Sequence, residues 1–178
     1  MALVRGVLPA EGIAALYGAS ASGKSFLALD LAAAVADGSE WFDCKVRQAN
    51  VCYVALEGEA GFSQRVKAWQ LHHGKDLPDG LKFIIQPLDL LTAGYVDDIA
   101  RAVIASRANG GLLNIDTLNR AANGADENSS QDMGAIIAAC KELQSRLGGV
   151  VRLYIIPSRM PPKAYADILA CTLHSMQQ

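Results

Sequence analysis

Residues Gly18-Ala19-Ser20-Ala21-Ser22-Gly23-Lys24-Ser25 fit the pattern G-x-x-x-x-G-K-[ST], and they constrain the fold more than any other stretch of the chain. The pattern carries weight only in the right surroundings. Before it, Ile13-Ala14-Ala15-Leu16-Tyr17 is a short apolar run that reads as a buried strand. After it, the segment from Phe26 to Val35 is rich in Leu and Ala, strongly helix-forming, and stops at Asp37-Gly38. Strand, glycine-rich loop and helix follow in the order that a phosphate-binding loop requires. Gly18 and Gly23 permit backbone conformations and close approaches that a side chain would block. Successive backbone N–H groups then turn inward as an anion nest at a helix N-terminus. Gly18, Ala19, Ser20, Ala21, Ser22, Gly23, Lys24, Ser25 and Phe26 are therefore the expected nucleotide-binding set. Lys24 would reach the β- and γ-phosphates, and the Ser25 hydroxyl would bind Mg²⁺.

The rest of the chain repeats the alternation. Asn50 to Leu56 is a second continuous apolar run, the mark of a strand buried on both faces. Phe62, Val66, Trp69 and Leu71 predict an amphipathic helix from Ala60 to His73, stopped at Gly74. Leu81 to Ile85 reads as a strand, about Val96 to Arg107 as a helix ending at Asn109-Gly110-Gly111, and Leu112 to Asp116 as a strand. Ser129 to Asp132 is a capping-box start for a helix running to about Leu147. Gly148-Gly149 ends it, and Val150 to Ile156 can be one more strand. Leu8 to Gly12 reads as a turn, and Trp41 to Val46 as a connector whose two aromatics cover the core edge. The pattern predicts an α/β fold, a mainly parallel sheet with helices on both faces and the nucleotide at the carboxyl ends of its strands.

Composition bounds the alternatives. A chain of 178 residues that is 51% hydrophobic can bury one sizeable core. A net charge of −2 argues against a strong nonspecific grip on nucleic acid by this segment alone. No apolar run is long enough to span a bilayer, and no signal peptide is evident at Met1 to Gly6. Cys44, Cys52, Cys140 and Cys171 lack C-x-x-C spacing and read as scattered reduced thiols, which fits the cytoplasm. His72-His73 read as surface residues, because neighbouring helical positions diverge and no acid or cysteine has partner spacing.

Two carboxylates stand where a phosphate site needs them. Asp116 ends an apolar strand, and a single acid beside the phosphates suits magnesium. Glu57 follows the second strand directly and could polarise the water that attacks the γ-phosphate. Glu59 competes for that role, and spacing alone favours Glu57.

Leu16-Tyr17-Gly18 with Gly23-Lys24-Ser25-Phe26, Val51 to Glu59, Ile115-Asp116-Thr117-Leu118 and Asp126-Glu127-Asn128 together resemble the RepA-like branch of the RecA-type P-loop ATPases. The resemblance runs from about Gly12 to Val151. That branch contains hexameric replicative DNA helicases of plasmids and related ATPases of phages and mobile elements. The resemblance implies a RecA-like fold, ATP and Mg²⁺ as cofactors, hydrolysis coupled to translocation on single-stranded DNA, and a homo-oligomeric ring without a membrane. By motif, Glu57 is then the catalytic residue, and Ser25 and Asp116 lie on the metal side. Glu59 and Arg65 remain possible accessory residues, Arg65 being either a site residue or a surface charge.

The ending departs from that family. Its corresponding strand closes in a His-His pair, followed by Lys-Gly-x-Arg-Gly-His and later an arginine that reaches the neighbouring subunit's nucleotide. This chain reads Arg152-Leu153-Tyr154-Ile155-Ile156-Pro157 and runs to Gln178. Back-translation in a shifted frame lets Tyr154-Ile155-Ile156 encode His-His and Pro162 to Ile168 encode the basic segment. Residues from about Arg152 onward are accordingly read as translated out of frame, with a divergent but genuine tail as the alternative. The expected organisation is an ATPase core over residues 1–156, with the family's C-terminal strands missing, and an atypical tail over 157–178. Such a chain is expected to bind nucleotide yet hydrolyse it poorly. A nucleotide-binding module without efficient turnover and a P-loop small-molecule kinase are the competing functions. Glu57-Gly58-Glu59 directly after the second strand, and the lack of an arginine-rich lid, weigh against the kinase.

Overall fold

The computed structural model describes residues 2–18, 22–56, 59–86, 89–117 and 129–155. It opens with a small antiparallel pair, β1 (Ala2–Val4) and β2 (Leu8–Pro9). The sequence suggested only a turn here, since strands this short show no periodicity. Burial of Leu3, Val4 and Leu8 holds the pair against the body of the molecule. The succession is then β3 (Gly12–Tyr17), α1 (Lys24–Asp37), β4 (Val51–Ala55), α2 (Glu59–His73), β5 (Leu81–Ile84), α3 (Tyr95–Ala105), β6 (Leu112–Asp116), α4 (Ser130–Leu147) and β7 (Val150–Ile155).

Five strands form one parallel sheet in the order β3-β7-β6-β4-β5. Side chains alternate across it, and each set has its own helices. Val51, Tyr53, Ala55, Leu112 and Val150 pack with α1 and with Phe62 and Trp69 of α2. Cys52, Val54, Leu113, Ile115 and Val151 pack with Ile99 and Val103 of α3 and with Ile136, Cys140 and Leu143 of α4. β4 and β6, covered on both faces, are buried throughout, which is why their sequences are continuously apolar rather than alternating.

The helix boundaries follow the punctuation in the sequence. Gly38 closes α1 with φ 73° and donates its N–H to the Ala34 carbonyl. Ser129 caps α4, its side chain accepting the Asp132 N–H at 3.3 Å. Two expectations need correcting. Phe62, Val66 and Trp69 face the core, but Leu71 lies two positions beyond Trp69, off that stripe, and is 76% exposed. In the connector, Trp41 packs against the core, whereas Phe42 is 71% exposed.

The glycine pairs read as helix stops also have a packing role. A Cβ on Gly111 would lie 1.9 Å from the Asn50 carbonyl oxygen, and one on Gly149 would lie 2.1 Å from the Gly111 oxygen. Glycine at both places lets β4, β6 and β7 start side by side, so that their other ends arrive together at the carboxyl edge.

Candidate nucleotide-binding site

β3 delivers Gly18 to the carboxyl edge, and α1 begins a few residues later at Lys24. Ala19, Ser20 and Ala21 lie outside the described residues. Gly23 takes the left-handed conformation, φ 84°, at the start of α1. A Cβ on Gly18 would come within 3.1 Å of Ser22 Oγ and 3.2 Å of Lys24 Cδ, tight enough that one of those side chains would have to give. Lys24 is buried, and its ammonium donates to the Gly18 carbonyl at 2.6 Å and to Ser22 Oγ at 3.4 Å. Ser25 is half-buried in the first helical turn, and Phe26 is exposed. α1 has no acidic residue in that turn and no side-chain cap at its start. Its N-terminal dipole therefore meets no side-chain carboxylate of its own first turn.

A cavity of about 870 Å³ runs from this loop along the outer side of α1 to α2. Tyr17, Gly18, Lys24 and Phe26 line one end, and Asp30, Trp69, His72 and His73 the other. Asp30 ties that second end together. Its carboxylate accepts from Trp41 Nε1 at 3.0 Å and Trp69 Nε1 at 2.9 Å, and His73 Nε2 lies 2.9 Å from it. The His73 ring stacks on Trp69 with centroids 4.3 Å apart. His73 is exposed, as the sequence reading has it, and is also tied into the cavity wall.

Asp116 is 1% exposed at the end of β6. In the strand order only β7 separates β6 from β3, so the loop and this carboxylate rise from the same edge about 10 Å apart at the usual strand spacing. The Tyr53 hydroxyl donates to Asp116 Oδ2 at 2.6 Å. Arg65 Nη1 approaches the same oxygen at 3.8 Å, its side chain only 12% exposed. Arg65 is therefore turned inward and is not a surface charge. The Leu56 N–H donates to the Asp116 carbonyl at 2.9 Å, fastening the end of β4 to the end of β6. Glu57 is the next residue in the chain; it and the side chain of Glu59 lie outside the described residues, as do Asp126-Glu127-Asn128.

Residues 2–154 match the AAA domain family AAA_25. The chain belongs to that family. Among solved structures, its fold is similar to that of the KaiC-like protein PH0186 from the hyperthermophilic archaeon Pyrococcus horikoshii OT3. The TM-score is 0.56 at 17% identity, with 94% of this chain and 71% of the archaeal one covered. No curated protein is matched. The AAA domain described here thus has the RecA-like α/β fold of a P-loop ATPase core, the fold class read from its sequence.

Sequence reasoning missed two features of this AAA domain. Tyr53 was read only as part of an apolar strand; its signal is a polar-tipped ring at a buried position. The Asp30 cluster had no signal, because its members lie far apart in the chain and meet only through the packing of α1 on α2.

Proposed function

We propose that this AAA domain binds ATP with Mg²⁺ at Gly18 to Ser25 and belongs to the ATPase core of a ring whose intact form hydrolyses ATP and moves on single-stranded DNA. The observation that carries the proposal is the buried Lys24 at the start of α1, its ammonium bonded to the Gly18 carbonyl just beyond β3. A charged donor placed beside a phosphate-binding loop makes strong charge-assisted bonds to polyphosphate oxygens. The Ser25 hydroxyl and the Asp116 carboxylate are assigned to the metal, because magnesium takes oxygen donors of these kinds. Bound there, Mg²⁺ would offset charge on the phosphates. Glu57 follows Leu56, which is fastened to Asp116, and is assigned the water-polarising role. Arg65 is assigned to the site because it points at Asp116. The cavity beyond Phe26 offers room for the nucleoside.

The helicase reading, with its hexameric ring and DNA partner, rests on the resemblance of Leu56-Glu57-Gly58-Glu59 and Asp126-Glu127-Asn128 to RepA-like proteins. The division into a core through residue 156 and an atypical tail belongs to the same reading. A cytoplasmic setting is supported by the unbridged Cys44, Cys52 and Cys140. Among the described residues no helix is long and apolar enough to cross a membrane.

Calorimetry and phosphate release test the site together. Lys24→Ala removes charge-assisted contacts worth about 1.5–3 kcal/mol, so ATP affinity should fall roughly 10- to 100-fold. Undiminished affinity would remove the loop from the proposal. Glu57→Gln should bind normally and lose about 10²–10⁴-fold in hydrolysis rate. Normal turnover there, with loss in Glu59→Gln, would transfer the role to Glu59.

A further inference from the structure

We infer that Tyr53 is a positioning residue: its phenol fixes the orientation of the Asp116 carboxylate toward the metal. The inference rests on the assignment of Asp116 to the metal side. Tyr53 lies in the middle of β4 opposite Asn114, and Ala55, two residues on, pairs with Asp116. Tyr53 and Asp116 therefore share a face of the sheet. The ring reaches forward over two residues, roughly 7 Å of strand, to place its hydroxyl 2.6 Å from Oδ2. That is the short range of an O–H donor on a charged acceptor.

Packing makes the donor rigid. The Tyr53 ring is fully buried, with Phe62 of α2 at 5.5 Å and Phe83 of β5 at 6.2 Å between centroids. Phe62 and Phe83 are themselves 5.0 Å apart. Phenylalanine fills two corners of this cluster, so filling space alone does not call for a tyrosine at the third. What the tyrosine adds is a hydroxyl, and that hydroxyl reaches the Asp116 carboxylate. The terminal torsion of an aspartate is intrinsically broad, whereas magnesium demands near-ideal octahedral geometry. Arg65 Nη1, 3.8 Å from the same oxygen, adds positive charge beside it.

The test is calorimetry of ATP binding to the whole chain, first in EDTA and then across a Mg²⁺ series, for the parent protein, Tyr53→Phe and Asp116→Asn. Tyr53→Phe keeps the ring and deletes the hydroxyl. In EDTA its ATP affinity should equal the parent's, because the phosphate loop is untouched. The Mg²⁺ concentration for half-maximal effect should rise roughly 10- to 100-fold, the usual consequence of removing a group that orients a metal ligand. A merely structural hydroxyl would lower thermal stability and leave that concentration unchanged. An unchanged value in Tyr53→Phe, with a raised one in Asp116→Asn, overturns the inference and leaves the assignment of Asp116 intact. Unchanged values in both overturn the assignment and the inference with it. Should Tyr53→Phe fail to fold, 3-fluorotyrosine in place of Tyr53 retains the donor. Its fluorine resonance must then move when Mg²⁺ joins the ATP complex, and a resonance indifferent to Mg²⁺ overturns the inference.

Discussion

Arg152 and Asn114 are each out of character for their strands. Both are buried, at paired positions of β7 and β6, and Arg152 Nε donates to Asn114 Oδ1 at 3.0 Å. Each polar residue makes sense of the other. Replacing Asn114 with Ala removes an acceptor from a buried cation, a contact worth about 1.5–3 kcal/mol. Denaturant unfolding of Asn114→Ala should show a loss of that size, while a loss near zero would make the pairing incidental. The same pair shows how far residues can be read alone. Lys24 and Asp116 were legible because loop and strand-end acids have positional signatures. Arg152 instead looked like the start of a departure from the family, because sequence does not say that β6 neighbours β7. Residues 156–178, most of the stretch read as out of frame, lie outside the described residues.

Elements were more legible than contacts. Gly38, Gly74 and the Ser129 cap end or begin helices where the sequence places them, because those residues act through their own backbone or nearest turn. Leu71 was misassigned because hydrophobicity was counted without its angle round the helix. Glycine doublets hid a second role. Gly110 takes a positive φ, but Gly111 does not, so its need for glycine is steric. Gly111→Ala would force a methyl group against the Asn50 carbonyl and should cost about 1–3 kcal/mol, the range for overpacking. Gly110→Ala is the comparison, since a Cβ there meets nothing within 4 Å and only its backbone angle resists. Melting curves in which Gly111→Ala is as stable as the parent would show that the strand starts can separate freely.

At the scale of the whole molecule, one of the two helical layers seals a pair of thiols. Burial pushes Cys52 and Cys140 up to about 12, and both sit in the layer under α3 and α4. The folded chain holds these protons to higher pH than the unfolded chain. Their contribution to stability is therefore full below the ordinary value of 9.0 and is lost as pH rises from there toward about 12. Urea midpoints should fall on the alkaline side, and fall less in a Cys52→Ala/Cys140→Ala double variant. An identical fall in both would put the alkaline sensitivity elsewhere. The opposite layer has a different economy. Its chemistry meets at Asp30, where Trp41 and Trp69, the two tryptophans of the chain, both donate to one carboxylate on the wall of the cavity beside the phosphate loop. All of the molecule's indole light is emitted from that one spot, so the protein carries an optical gauge of its own cavity, readable without a label.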